Sequence, residues 1–203
     1  MAANATPQVL DDFKSPAAWT ATASDQVQAR VKPAGANGGL CLAYDFAGVS
    51  GYAVARRAIA FDLPAHYELA LRVRGSGGPN DVQLKLLDAS GDNVWWVHQP
   101  NRVLPTAFSD WRVKQRDVQF AWGPSADKTL RQVAAIELAV AAGKAGGKGE
   151  ICLEKLNLVP RETPPATWPQ PVATANEAVP EAGPELAVDG KTDTAWRSPP
   201  GAA

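Results

Sequence analysis

Apolar and polar side chains alternate with a period of two along much of this chain. In 39–47 (GLCLAYDFA) Leu40, Leu42, Tyr44 and Phe46 alternate with Cys41, Ala43 and Asp45. In 67–75 Leu69, Leu71 and Val73 alternate with Ala70, Arg72 and Arg74, and in 81–88 Val82, Leu84 and Leu86 alternate with Gln83 and Lys85. Segments 92–99, 110–122, 133–142 and 150–159 continue the series. Such alternation buries one face of a strand and wets the other, as in antiparallel sheets. Turn chemistry (GSGGPN, ASGD, GPSADK, GKAGGKG) separates the runs. Segment 127–142 carries both a helical and a strand pattern; we read a short turn at 128–132 and a strand at 133–141. Seven or more strands at this spacing predict an all-β fold, an antiparallel two-sheet β-sandwich.

From Arg161 the composition changes. Segment 161–172 (RETPPATWPQPV) holds four prolines, which remove ladder donors and stiffen an extended chain. The expected organisation is a sandwich over 8–160, a Pro-rich linker over 161–172 and a further piece over 173–203.

The 203 residues carry a net charge of −1, from 20 basic and 21 acidic side chains. That balance argues against nucleic acid or an anionic membrane as the main partner. The longest apolar run is about five residues, well short of a membrane span. The start MAANATPQ has no basic region followed by an apolar stretch, yet Ala3-Asn4-Ala5 has the small-x-small form found near signal cleavage sites. A mature periplasmic or secreted chain and an ordinary loose terminus both stay open. Cys41 and Cys152 lie in apolar strand-like runs, where buried free thiols are common, and we read them as unpaired rather than as a disulfide.

Catalytic signatures are not evident in the sequence: no Gly-x-Ser-x-Gly elbow, no suggestion of a Ser/His/Asp set and no singled-out carboxylate pair. The chemistry that does emerge is that of a binding face. Sugars offer apolar C–H faces and polar edges, so they need an aromatic platform beside planar hydrogen-bonding groups. With Leu69, Leu71 and Val73 inward, Arg72 and Arg74 face out; with Val82, Leu84 and Leu86 inward, Gln83 and Lys85 face out. Trp95 and Trp96 point to opposite faces; with Val94 inward, Trp96 is core and Trp95 exposed. His98 and Arg102 follow, and Glu137 faces out between Ile136 and Leu138. We read these residues as one polar, partly aromatic sheet face. A solvated surface is the plain alternative for its charges, and Trp111 and Trp122 read as core or edge packing.

Two resemblances add to this. LDDF (10–13) with Trp19, GLCLAYDF, LALRVRG, VQLKLLDASGDNVWW, FSDWRVKQRDVQFAWGP and GGKGEICLEKLNLVP, in that order, resemble bacterial galactose-binding-like jelly-roll modules attached to glycoside hydrolases and other cell-surface proteins. The resemblance implies a non-catalytic carbohydrate-binding module with a polysaccharide or oligosaccharide partner, and a structural calcium near the first and last strands. Asp11, Asp12 and Glu154 occupy the matching stretches. The same sandwich also serves as a protein–protein assembly module or a structural spacer. Segment 173–198, with Ala187-Val188-Asp189-Gly190, Thr192, Thr194, Trp196 and Ser198, resembles the first strand and loop of a discoidin (coagulation-factor type C) domain. That implies further domains of the same chain; on its own chemistry, Asp189-Gly190 reads as a tight turn with Trp196 packed beneath it.

Overall fold

The computed structural model describes residues 6–35, 38–163 and 171–201. The chain divides into two units, 1–163 and 164–203. Most of the proposed linker, 164–170, and the tripeptide 3–5 lie outside the described residues.

The first unit is all-β. Its strands are β1 (Gln8–Asp11), β2 (Thr20–Ala23), β3 (Gln28–Pro33), β4 (Leu40–Asp45), β5 (Tyr52–Asp62), β6 (Tyr67–Ser76), β7 (Asn80–Leu87), β8 (Val94–Arg102), β9 (Ser109–Lys114), β10 (Gln119–Trp122), β11 (Gln132–Ala141) and β12 (Lys148–Pro160). They form two sheets. The first runs β3-β4-β12-β6-β9, with β1 also paired to β12; the second runs β10-β8-β7-β11-β5-β2. Every ladder is antiparallel. The expected two-sheet sandwich is therefore the fold.

Three local readings change. The run 110–122 is two strands in different sheets, β9 and β10, split by a single 3-10 turn at Gln115–Asp117. Asp117 makes the break by accepting the Lys114 backbone N–H at 3.0 Å. Residues 128–131 form no helical turn, and β11 starts at Gln132. The long β5 left little trace in the pattern, because its first inward positions are the alanines Ala53 and Ala55, both fully buried, followed by Arg57 opposite core Ile136.

The core lies between the sheets. Leu40, Leu42, Leu69, Leu71, Ile151 and Leu153 of the first sheet pack against Leu84, Leu86, Ile136 and Leu138 of the second. Each such side chain withdrawn from water contributes about 1.5–3 kcal/mol before entropy is counted. The N-terminal end is fastened by Asp11. Its buried carboxylate accepts the Phe13 N–H at 2.6 Å and the Trp19 indole N–H at 2.8 Å, and pairs with Arg57 on β5. Phe13, held at φ 54°, then stacks on Trp19 with ring centroids 5.6 Å apart.

In the second unit, Gly190 takes φ +76° in the expected turn. Asp189 closes it by accepting the Lys191 N–H at 2.9 Å and the Thr194 hydroxyl at 2.8 Å, bonds that lower its carboxyl pKa below the ordinary value. Trp196 keeps 43% of its surface exposed. The turn is saturated by polar bonds of its own and needs no ring under it.

The thiol reading is overturned. Cys41 on β4 stands directly opposite Cys152 on β12, with Cα atoms 3.9 Å apart, and the two form a disulfide. Burial in an apolar run is common to free thiols and bridges alike, so only strand adjacency decides between them. The bond closes a loop spanning 111 positions. Loop-closure entropy at that length predicts that Cys41→Ser with Cys152→Ser lowers stability by about 5 kcal/mol in urea unfolding. Thiol titration of the native protein should find none reactive, and both after reductive unfolding; two reactive thiols in the oxidised, unfolded protein would contradict the bridge.

Candidate functional site

The outer face of the second sheet gathers a row of polar and aromatic side chains. Across the ladders run Arg56 on β5, Glu137 on β11, Lys85 on β7, Trp96 on β8 and Gln119 on β10, each directly opposite the next. Paired residues of an antiparallel ladder point to the same side, so the five share one face. The next row places Gln83 beside His98. Trp122 closes one edge, 46% exposed, meeting Trp96 edge-on at 5.5 Å with the Lys85 ammonium 5.3 Å from its ring centre. Trp96 in turn lies 4.9 Å from the His98 ring, and His98 Nε2 is 3.3 Å from an Asp81 carboxylate oxygen. Tyr52, 50% exposed, stands at the start of β5 opposite Ala141. Between the flanks, Val54 and Ala139 face outward but are covered, so small residues lie low among taller ones.

Electrostatics hold this face in shape. Glu137 accepts a hydrogen bond from Arg56 at 3.0 Å and lies 3.8 Å from the Lys85 ammonium. Burial lowers the Lys85 pKa below the ordinary lysine value, and Glu137 opposes that shift. The result is a fixed set of donors and acceptors beside two indoles, one of them open to solvent. Such a set can place hydroxyls by hydrogen bonds and cover C–H faces by stacking.

Of the predicted residues, Gln83, Lys85, Trp96, His98 and Glu137 come together here. Four do not. Arg72 and Arg74 lie on β6, in the first sheet, and so on the opposite side of the sandwich. Arg72 pairs with Glu154 and donates to the Phe108 carbonyl at 2.9 Å; Arg74 donates to the Ala34 carbonyl at 3.0 Å and lies 3.6 Å from Glu150. Both guanidiniums cover the Phe108 ring, at 5.7 and 5.1 Å. The two tryptophans exchange places: Trp95 is buried opposite core Leu86, while Trp96 is partly exposed opposite Lys85. Val94, buried on the outer side with Leu87 and Ala135, had suggested the reverse phase. Arg102 is half-buried with its guanidinium 4.1 Å over Trp111, and desolvation lowers its pKa.

Trp122, Tyr52, Arg56 and Asp81 were missed. A register shift between Phe120 and Trp122 breaks the alternation of β10, so periodicity could not place Trp122. Arg56 and Tyr52 lie on β5, which was not read as a strand. Asp81 was in view, since it begins the run 81–88.

The acids proposed for calcium do not fit that ion. Asp11 is saturated by two N–H donors and Arg57, Asp12 pairs with Lys14 at 3.2 Å, and Glu154 pairs with Arg72. Calcium needs six to eight oxygens turned to one point. Among the described residues the one compact group of acid and sulfur ligands is Cys41, Glu150 and Cys152, whose sulfurs are bonded to each other.

No known family model matches the sequence, and no curated protein matches it. The fold is that of carbohydrate-binding modules. It is similar to the family 11 module of a cellulosomal cellulase of Clostridium thermocellum, with a TM-score of 0.60 and 13% identity over 77% of this chain and 95% of that one. A second structure of a family 11 module from that organism, in complex with a β-1,3-1,4-mixed-linked tetrasaccharide, gives a TM-score of 0.61 and 14% identity over 76% and 95%. An exo-β-agarase shares the fold over 77% of this chain and 26% of its own, with a TM-score of 0.52 and 16% identity. At these identities the likeness is one of fold.

Glu137 should prove structural for the face. Glu137→Gln leaves the covered Lys85 ammonium without its carboxylate and should lower stability by about 1–3 kcal/mol at neutral pH. A lysine pKa lowered by folding means that the unfolded chain binds more protons, so stability rises with pH. The deficit should therefore shrink as pH climbs toward the ordinary lysine value of 10.5. Denaturant melts across alkaline pH test this; a deficit independent of pH speaks against the Lys85 coupling.

Proposed function

We propose that the sandwich is a non-catalytic carbohydrate-binding module that holds a polysaccharide or oligosaccharide on the outer face of its second sheet. The observation that carries this reading is the solvent-open Trp122 set against Trp96 and flanked by Lys85, Gln83, His98 and Glu137. An indole stacks on sugar C–H faces while the neighbouring groups bridge hydroxyls. The fold likeness to family 11 modules supports the same reading, and the mixed-linked glucan held by one of them makes β-glucans the first ligands to try.

The buried disulfide supports a periplasmic or secreted setting, since such bonds persist in oxidising compartments. The second unit, with its discoidin-like Asp189-Gly190 turn, supports an accessory role in a longer multidomain protein.

Titration with soluble β-glucans, followed by tryptophan fluorescence and calorimetry, tests the face. Trp122→Ala should weaken binding by about 2 kcal/mol, roughly 30-fold, as loss of an aromatic anchor does. Arg74→Ala, on the other side of the sandwich, should leave affinity unchanged. Equal losses in both variants, or none in Trp122→Ala, would remove the face from consideration.

A further inference from the structure

A cavity opens at one end of the sandwich, away from this face. Its volume is about 820 Å³, within the range of small-molecule sites. The end of β5, the β7–β8 turn and the nine-residue segment 123–131 border this open cleft, and none of the face residues lines it. Its floor is apolar: Phe61, Trp95 and Val133 are buried, with Leu63 and Leu130 half-buried beside them. Its rim is polar, carried by Asp62, Ser90, Asp127, Thr129, Arg131 and Gln132.

The wall is pre-formed. The Trp95 indole N–H donates to the Lys128 carbonyl at 2.6 Å, the Ser125 N–H donates to Asn93 Oδ1 at 2.8 Å, and the Leu63 N–H donates to the Arg131 carbonyl at 2.8 Å. Asp127 is held within it by the Thr129 N–H at 2.9 Å and Arg131 at 2.6 Å. Gly123 lets this segment cross the β7–β8 turn at φ +134°; a Cβ there would meet Asn93 Oδ1 at 2.4 Å. A cavity whose walls are bonded in place loses little order when filled.

One pair on the rim stands ready for a ligand. Gln132 and Asp62 face each other across β11 and β5, and the Gln132 amide donates to Asp62 Oδ1 at 2.9 Å. That single bond leaves Asp62 Oδ2, the amide oxygen and a second amide N–H turned to solvent, a set that bridges adjacent hydroxyls. Asp62, Asp88 and Asp127 outweigh Arg131 around the cavity, which opposes an acidic ligand.

We propose that this cavity is a second carbohydrate site, which takes a short uncharged oligosaccharide, with Asp62 and Gln132 on its hydroxyls and the Phe61–Trp95–Leu130 floor beneath its C–H face. The proposal shares the carbohydrate reading above but uses none of the residues of the sheet face, so either site can fail alone.

Amide shift mapping of the full chain tests it, with cellotetraose, laminaritetraose and mannotetraose at millimolar concentration, and trigalacturonic acid as the acidic probe. At least one neutral tetrasaccharide should move the Trp95 indole N–H and the amides of 88–90 and 125–132. Those shifts should survive in Trp122→Ala and weaken at least tenfold in affinity in Asp62→Ala, whose exposed site lets it fold. Gln132→Ala serves as an independent second variant and should do the same. The proposal falls if shifts are confined to Trp96, Trp122 and their neighbours, if no neutral probe moves the cavity amides, or if trigalacturonic acid moves them equally.

Discussion

Residues directly opposite in an antiparallel ladder must point to the same side of the sheet, and the arrangement of this molecule depends on that constraint. Once Leu84 and Leu86 are committed to the core, Val97 and Trp95 follow them inward, and Lys85 carries Trp96 outward. From Lys85 the same rule reaches Glu137 and Arg56, and from Trp96 it reaches Gln119. The candidate face is thus a consequence of burying the opposite face. Slipping any one strand by a single residue would exchange its indole or cation for a core leucine, at the cost of exposing one and burying the other.

Polar groups at the margins are there because something pairs them. Asp11 is almost completely removed from water and tolerated because two N–H groups and Arg57 converge on it. Glu68 is equally covered, and Arg112 and Arg161 close over it at 2.7 and 3.3 Å. The outer face of the first sheet is a lattice of such pairs, which accounts for Arg72, Arg74, Glu150 and Glu154 without a ligand. The second sheet differs in leaving aromatic rings unspent. Trp122 has no hydrogen-bonding partner among those described and nearly half its surface in solvent, a costly arrangement for an indole that only packs.

The face and the end cavity suit different parts of a polymer. An open sheet face can accept an internal stretch of a long chain, whereas a cleft bordered by loops suits a short length. As proposed, the two sites on one sandwich would each raise the effective concentration of a shared polymer at the other. The disulfide joins β4 to β12 within the first sheet, where the thirteen-residue β12 also pairs with β1 and β6.

The sequence by itself determined the class of fold and the inward rows, because period-two alternation is a local property written in each strand. Leu69, Leu71 and Val73, and Val82, Leu84 and Leu86, were legible as buried, with Arg72, Arg74, Gln83 and Lys85 outward. Only the tertiary structure decided which outward residues share a side. β6 and β7 are consecutive in the chain yet belong to different sheets, so Arg74 and Lys85 look away from each other. Trp122 was hidden by a bulge, and β5 by alanines that fill a tight core without a hydrophobic signature. The disulfide and the end cavity were illegible for the same reason: each is made by segments far apart in sequence, which only strand order and loop crossing bring within bonding distance.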